Sequence, residues 1–83
     1  MTDTLDRNAI VRRVQEVFKD VLGLDALPDP SSSLADEFAL TSMDAMALIV
    51  TLEQEFDRTL ADDVLADLKT VDDVAEQVCR VVL

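Results

Sequence analysis

The sequence lacks several of the side chains on which catalysis and metal binding most often depend. Its 83 residues include no histidine, tryptophan or tyrosine, and they include a single cysteine. Histidine is the commonest acid–base residue and a frequent metal ligand, so its absence argues against both kinds of site. One cysteine can form neither an intrachain disulfide nor a zinc site built from several cysteines. We therefore expect a protein that is not an enzyme and that binds no metal.

Basic residues and glycine are also scarce. The chain has 7 lysine and arginine residues against 18 acidic residues, which gives a net charge of −11 at pH 7. A negative charge of this size argues against binding to nucleic acid and favours protein partners with basic surfaces. The chain has one glycine, which cannot supply a glycine-rich loop for phosphate groups.

No long apolar segment is present. The chain contains no run of about 20 apolar residues that would span a bilayer, and its N-terminal residues do not resemble a secretory signal. We therefore predict a cytoplasmic protein that does not insert into membranes, and we expect it to be a monomer.

The acidic residues of the second half do not form a pattern typical of metal binding. Four aspartates lie close together there: Asp57, Asp62, Asp63 and Asp67. They lack the alternating ligand spacing and the central glycine of a calcium-binding EF-hand loop. Solvent-exposed helix faces explain them better. Cys79 lies among valines, and we interpret it as a small buried hydrophobic residue.

Hydrophobic residues make up 49% of the chain and recur at helical spacing. The spacing predicts a first helix from Asp6 to Leu22, which Gly23 would end. A second helix is predicted from Ser42 to about Asp57. The segment from Asp25 to Leu40 contains both prolines and predicts a long loop between these helices.

The last third of the chain predicts two further helical segments. A short helix is expected from Asp62 to about Asp67, and a last helix is expected after a cap at Thr70. No segment alternates as a strand does. The predicted fold is all-α: a four-helix bundle with a short third helix and a long loop between helices 1 and 2, in one domain over residues 1–83.

The start of the second helix shows a capping pattern. Thr41 and Asp44 form the sequence T-x-x-D, in which each side chain can accept the backbone N–H of the other residue. Ser42 would then occupy the first helical position with its hydroxyl free of capping. A phosphodiester on that oxygen would be stabilised by the unpaired N–H groups and by the helix dipole. Serine and threonine begin many helices, so the pattern by itself assigns no function.

A larger set of residues stands at a characteristic spacing around Ser42. The motif Ser42-Met43-Asp44 is followed by Leu48, Leu52, Glu53, Glu55, Phe56, Asp57, Asp62, Leu68, Thr70, Val71 and Val78. Upstream, Leu22-Gly23-Leu24 and Ser33-Leu34 stand at matching distances. In this set the sequence resembles the acyl carrier proteins, and the resemblance covers nearly the whole chain.

The resemblance implies a discrete carrier protein. A phosphopantetheinyl transferase would attach 4′-phosphopantetheine from coenzyme A to Ser42, and the thiol of that arm would hold acyl groups as thioesters. The protein would deliver them to enzymes of fatty-acid, polyketide or related biosynthesis. Besides the transferase, the implied partners are acyl-loading, ketosynthase, reductase or acyltransferase enzymes with basic docking patches.

The sequence departs from the family at two positions before Ser42. Thr41 stands where the family usually has an aspartate, and Ala39 stands where a glycine is common. Threonine can still cap the helix. In the family that aspartate helps the transferase to dock, so the departure leaves open which transferase modifies this chain.

The resemblance also implies two further sets of residues. Those expected to contact partner enzymes are Met43, Asp44, Met46, Val50 and Glu53. Those expected to line a pocket for the acyl chain are Leu48, Leu52, Phe56, Val71 and Val78. Each set has a simpler interpretation, because the first can cover loop residues and the second can form the ordinary core, with Leu48, Leu52 and Phe56 on the inward face of the helix.

Two alternatives remain open from the sequence. An aminoacyl or peptidyl carrier would use the same serine and the same arm for a different cargo. An unmodified acidic helical adaptor would use Met43, Met46 and Val50 to bind a partner helix, and Ser42 would then only begin a helix.

Overall fold

The computed structural model describes residues 6–34, 36, 38, 40–60 and 69–82. These residues form three helices, α1 (Arg7–Leu22), α2 (Ser42–Phe56) and α3 (Val71–Val82). The predicted all-α class is confirmed. Both α1 and α2 begin and end within a residue of the predicted positions, and α3 begins directly after the predicted cap at Thr70. The predicted short helix from Asp62 to about Asp67 lies outside the described residues, so the four-helix count stays a prediction.

Both ends of α1 follow from local sequence. The Asp6 side chain accepts the N–H of Ala9 at 2.8 Å, which caps the first turn. At the other end Gly23 adopts a left-handed conformation, with φ of 67°, and its N–H donates to the carbonyl of Lys19. A residue without a Cβ takes this conformation at little cost, which explains why the helix stops there.

The core lies between the helices, and α1 packs against both α2 and α3. The buried residues come from all three helices and from two loops: Ile10, Val14, Val17, Phe18, Leu34, Leu48, Ile49, Leu52, Leu60, Val71, Val74, Ala75, Val78 and Cys79. The predicted burial of Cys79 is therefore confirmed. Because these side chains are all apolar, the core is held mainly by burial of hydrophobic surface.

The long loop between α1 and α2 is tied to both α1 and α3. The Nε2 of Gln15 in α1 donates to the carbonyl of Pro28 at 2.7 Å. The N–H of Leu34 donates to the carbonyl of Lys69 at 2.8 Å, directly before α3 begins. Leu34 is buried, and the ring centroids of Phe38 and Phe18 lie 5.8 Å apart. A loop of this length is thus held by hydrogen bonds as well as by apolar contacts.

Two ion pairs connect the helices at the surface. Arg7 of α1 pairs with Glu76 of α3. Arg13 of α1 pairs with Glu55 of α2, with 2.7 Å between Nη2 and Oε2. These side chains are partly exposed, so each pair contributes little to the free energy of unfolding. No helix in the described part of the chain is long and apolar enough to cross a membrane.

Candidate functional site

The start of α2 has the predicted capping box. Thr41 has an extended backbone, and its Oγ1 accepts the N–H of Asp44 at 3.2 Å. In return, the Oδ2 of Asp44 accepts the N–H of Thr41 at 3.1 Å. Both side chains therefore cap the helix. The hydroxyl-bearing residue between them takes no part in the capping.

That residue is Ser42, which is the first residue of α2 and is exposed. Among the described residues, its hydroxyl forms no hydrogen bond, and the backbone N–H groups of Ser42 and Met43 have no acceptor. These N–H groups lie at the positive end of the helix dipole. An anionic group on the Ser42 oxygen therefore fits this position both electrostatically and sterically.

The neighbouring face of α2 exposes large apolar side chains. Met43 is 81% exposed, Met46 is 66% exposed and Val50 is 48% exposed. The spacing of three and four residues places them in a row along one face. The interpretation that they cover loop residues does not agree with such exposure. Their role as partner contacts stays a prediction.

The two acidic residues of the predicted partner set are positioned differently. Asp44 is half-buried and bonded within the capping box. Glu53 is also half-buried, and its Oε2 accepts the N–H of Leu60 at 2.7 Å. Each carboxylate thus bonds to the chain itself. The Asp44 bond was predicted from the capping pattern, whereas the Glu53 bond was not, because it depends on how the chain turns after α2.

The predicted pocket residues divide into two groups. Leu48, Leu52, Val71 and Val78 are at most 1% exposed and lie together in the core. Phe56 is half-buried at the edge of this cluster, and it lines an open groove between α1 and the end of α2. Phe56 therefore packs against the core, as its place on the inward face predicts, but it is only partly buried.

In the part of the chain that the structure describes, the remaining reactive side chains form no second site. Burial raises the pKa of the Cys79 thiol, which keeps it protonated and unreactive at neutral pH. Among the described residues, no three acidic or cysteine side chains lie close enough together to hold a metal ion. Of the four clustered aspartates, Asp62, Asp63 and Asp67 lie outside the described residues.

Comparison with known proteins identifies the family. The sequence profile described as "Phosphopantetheine attachment site" matches residues 12–78, which include all of α2 and most of the core. The chain is also 36% identical over 70 residues to an acyl carrier protein of Bdellovibrio bacteriovorus, a match that covers 81% of this chain and 87% of the relative. The chain belongs to the acyl carrier protein family.

Further members of this family match over most of their length. An acyl carrier protein of Thermosynechococcus vestitus is 32% identical over 75 residues, which are 87% of this chain and 90% of the relative. One of Karelsulcia muelleri is 31% identical over 72 residues, 86% of this chain and 87% of the relative. No solved structure matches the chain significantly.

Membership of the family confirms two expectations from the sequence. The first is the acyl carrier function, and the second is a covalently attached 4′-phosphopantetheine group. The exposed hydroxyl and the unpaired N–H groups at the start of α2 fit the phosphodiester of that group. The family match also favours a carrier over the unmodified adaptor that the sequence left open.

Proposed function

We propose that Ser42 carries the 4′-phosphopantetheine group. The observation that supports this most directly is the capping box, which occupies Thr41 and Asp44 and leaves the Ser42 hydroxyl exposed beside free N–H groups. In the transfer, the Ser42 oxygen loses its proton and forms a bond to the phosphorus of coenzyme A that bears the pantetheine. The pyrophosphate bond breaks, and adenosine 3′,5′-bisphosphate leaves.

The other serines are less suitable acceptors. The Ser31 hydroxyl donates to Asp29 Oδ1 at 2.7 Å, and the Ser33 oxygen accepts the N–H of Asp36 at 3.2 Å. Ser32 is half-buried in the segment that bonds to the start of α3. These three lie in the loop, so none has the N–H groups of a helix start beside its hydroxyl.

The chain itself then acts as a carrier and not as an enzyme. The bound arm supplies the thiol that holds an acyl group, and the helices present the arm to the enzymes that load, extend, reduce or transfer that group. We propose fatty-acid, polyketide or related biosynthesis as the setting. A single carrier domain over residues 1–83 and a cytoplasmic location accompany this proposal as predictions from the sequence.

We further propose that an acyl chain enters the interior of the bundle. The four residues Leu48, Leu52, Val71 and Val78 belong to one apolar core cluster, to which α1 also contributes. Phe56 borders this cluster and also faces the groove beside α1. The side chains of such an apolar core can separate to accommodate an apolar chain at modest cost, because no buried side-chain hydrogen bond is broken.

Mass spectrometry tests the attachment site. The protein is incubated with coenzyme A and a broad-specificity phosphopantetheinyl transferase, and it should gain the mass of one phosphopantetheine group. Ser42→Ala should gain none and should retain its helical circular dichroism. Ser31→Ala and Ser33→Ala are matched controls that should be modified as the wild type is. Modification of Ser42→Ala would contradict the assignment.

A further inference from the structure

The loop between α1 and α2 contains a segment that crosses from α1 to the start of α3. Residues 28–34 form this segment, which we call the strap. At one end, the Gln15 side chain of α1 donates to the carbonyl of the buried Pro28. Further along, the carbonyls of Pro30 and Ser32 accept the N–H groups of the first two residues of α3, and the N–H of Leu34 donates to a carbonyl directly before that helix. The strap thus joins α1 to α3 by hydrogen bonds, in addition to the packing between the two helices.

Asp29 gives the strap its shape. Its Oδ1 accepts the N–H and the hydroxyl of Ser31 at 2.8 and 2.7 Å, and its carbonyl accepts the N–H of Ser32 at 2.9 Å. These bonds form a turn of the kind that aspartate favours. The N–H and the hydroxyl of Ser31 also lower the pKa of the Asp29 carboxyl, so the carboxylate is charged at neutral pH. The turn directs the carbonyls of Pro30 and Ser32 towards α3.

The attachment site at Ser42 lies at the C-terminal end of α1. Near the end of α2, Glu55 pairs with Arg13 of α1. Before the start of α2, the ring of Phe38 lies beside that of Phe18, which is closer to the end of α1. Because α2 therefore runs antiparallel to α1, its first residue lies at the end of the bundle where α1 finishes.

The start of α3 lies at the same end of the bundle. Arg7, the first residue of α1, pairs with Glu76 in the middle of α3, whereas the strap connects the start of α3 to Gln15, further along α1. Leu34 of the strap and Val71 of α3 are both buried in the apolar cluster that is proposed to receive the acyl chain. The strap therefore closes this cluster at the end of the bundle from which an arm on Ser42 would enter.

We propose that Gln15 and Asp29 are positioning residues that hold the strap across the start of α3 and so keep an acyl chain inside the bundle. The inference rests on the proposed attachment at Ser42 and on the proposed entry of the acyl chain into the core. With the strap in place, the first turn of α3 stays against the cluster and shields the cargo from water. Without it, the start of α3 separates from α1 more often, and the thioester is exposed for a larger fraction of time.

Hydrogen exchange followed by NMR tests the strap in the unmodified protein. Asp29→Ala removes the acceptor of the turn, and Gln15→Glu keeps the side-chain size but replaces the donor group with an oxygen that repels the Pro28 carbonyl. In both variants, the amides of Leu34, Val71 and Asp72 should lose protection at least about tenfold, because local opening exposes the N–H groups bonded across the strap.

Two further variants are matched controls. Asp29→Asn keeps an oxygen that accepts the same two bonds from Ser31, so it should restore the protection that Asp29→Ala loses. Gln54→Glu makes the same change of charge as Gln15→Glu at an exposed position of α2 that is remote from the strap, and it should leave these amides unchanged. Circular dichroism verifies that every variant is folded.

The protection of the cargo is measured with hydroxylamine, which cleaves the thioester to a hydroxamate and a free thiol. The broad-specificity transferase loads the protein from acetyl-coenzyme A or from octanoyl-coenzyme A. In the wild type, the octanoyl thioester should be cleaved more slowly than the acetyl thioester, because only the longer chain reaches the core. Asp29→Ala and Gln15→Glu should speed cleavage of the octanoyl thioester at least about threefold and leave that of the acetyl thioester unchanged, since the reaction requires the open state. A role in stability alone would not produce this dependence on chain length.

The outcomes distinguish the inference from the function on which it rests. A wild type that gains no phosphopantetheine would contradict the attachment, and equal cleavage of its acetyl and octanoyl thioesters would contradict the entry of the chain into the core. If the wild type shields the octanoyl thioester but Asp29→Ala and Gln15→Glu shield it equally well, or if the two variants keep their amide protection, the role of the strap is overturned and the carrier function stands.

Discussion

Two helices of this protein begin with the same local sequence pattern, T-x-x-D. At α2 the pair is Thr41 and Asp44, and at α3 it is Thr70 and Asp73. Both pairs form reciprocal hydrogen bonds: the threonine Oγ1 accepts the N–H of the aspartate, and the aspartate carboxylate accepts the N–H of the threonine. At the level of the cap, the two helix starts are therefore equivalent.

They differ in what covers the first turn. At α3, the N–H of Val71 donates to the carbonyl of Ser32 at 3.3 Å, and the N–H of Asp72 donates to that of Pro30 at 2.7 Å. The side chain of Val71 is fully buried. At α2, the corresponding positions are Ser42 and Met43, which are exposed, and their N–H groups have no acceptor among the described residues.

The difference shows why only one of these starts suits an attached anion. The unpaired N–H groups of a first turn favour a negative group only if nothing else accepts their hydrogen bonds. The loop after α1 supplies carbonyl acceptors to α3, and it leaves the start of α2 open. The position of the loop, and not the capping motif, thus separates the covered start of α3 from the exposed start of α2.

Substitutions of the first residue of α2 and of α3 should give the largest difference in the free energy of unfolding. Val71→Ser removes a buried side chain and places a hydroxyl in the core, so we expect it to lower the free energy of unfolding by about 3 kcal/mol. Ser42→Val changes an exposed residue and should alter it by less than about 0.5 kcal/mol. Urea denaturation of both variants measures the contrast. Similar losses in the two variants would mean that the start of α2 is also packed.

Replacing the capping threonines should lower the free energy of unfolding by a smaller amount, and this amount should differ between the two helices. Thr70→Ala should cost about 2 kcal/mol and Thr41→Ala about 1 kcal/mol or less. The reason is that water can replace the lost acceptor at the exposed Thr41, whereas Thr70 is half-buried against the loop. The same denaturation measurement applies. If Thr41→Ala lowered the free energy of unfolding more than Thr70→Ala did, the hydrogen bonds that the carbonyls of Pro30 and Ser32 accept at α3 would be compensating for the lost cap there.

The smallest expected effect is the pH dependence of the stability that Asp73 contributes. The N–H groups of Lys69 and Thr70 donate to the Asp73 carboxylate and hold its pKa below the ordinary value of 3.8. As the pH falls, the Asp73 carboxylate is protonated in the unfolded chain first, because its pKa is higher there. The charged carboxylate therefore stabilises the folded state fully well above pH 3.8. This stabilisation is lost as the pH falls through the lower pKa of the folded state.

Thermal melts of the wild type and of Asp73→Asn follow this dependence. The melting temperature of the wild type should exceed that of Asp73→Asn at neutral pH, and the gap should narrow as the pH falls below about 4. A gap that is constant over this range would show that the charge of Asp73 contributes nothing to the cap at α3.

The helix boundaries were predictable because they depend on neighbours in the sequence. Asp6, Thr41 and Thr70 cap helices through bonds to residues three positions away, and Gly23 ends α1 through its own backbone. The exposed position of Ser42 could be anticipated from the same motif. The match of this helix start to the acyl carrier pattern then indicated the cofactor.

Contacts between distant residues were not predictable in this way. The pairing of Arg13 with Glu55 and the bonds from the loop to α3 join residues that are far apart in the sequence. No periodicity indicates them, because they depend on how the helices and the loop are placed in space. The bond of Glu53 to Leu60 is closer in sequence, but it needs the turn at Asp57, a non-glycine residue with φ of 53°.

By itself, then, the sequence determined three helix starts, the end of α1, the apolar residues available for a core and the serine that belongs to the carrier motif. It also placed T-x-x-D at two helix starts without distinguishing them. Only the tertiary structure decided that carbonyls of the loop accept hydrogen bonds from the start of α3 while the start of α2 stays exposed, and that Glu53 and Glu55 bond to Leu60 and Arg13. The physical reason is the distance in sequence over which each interaction acts. Capping and helical spacing involve residues three or four positions apart, whereas burial and charge pairing depend on which distant segments come into contact.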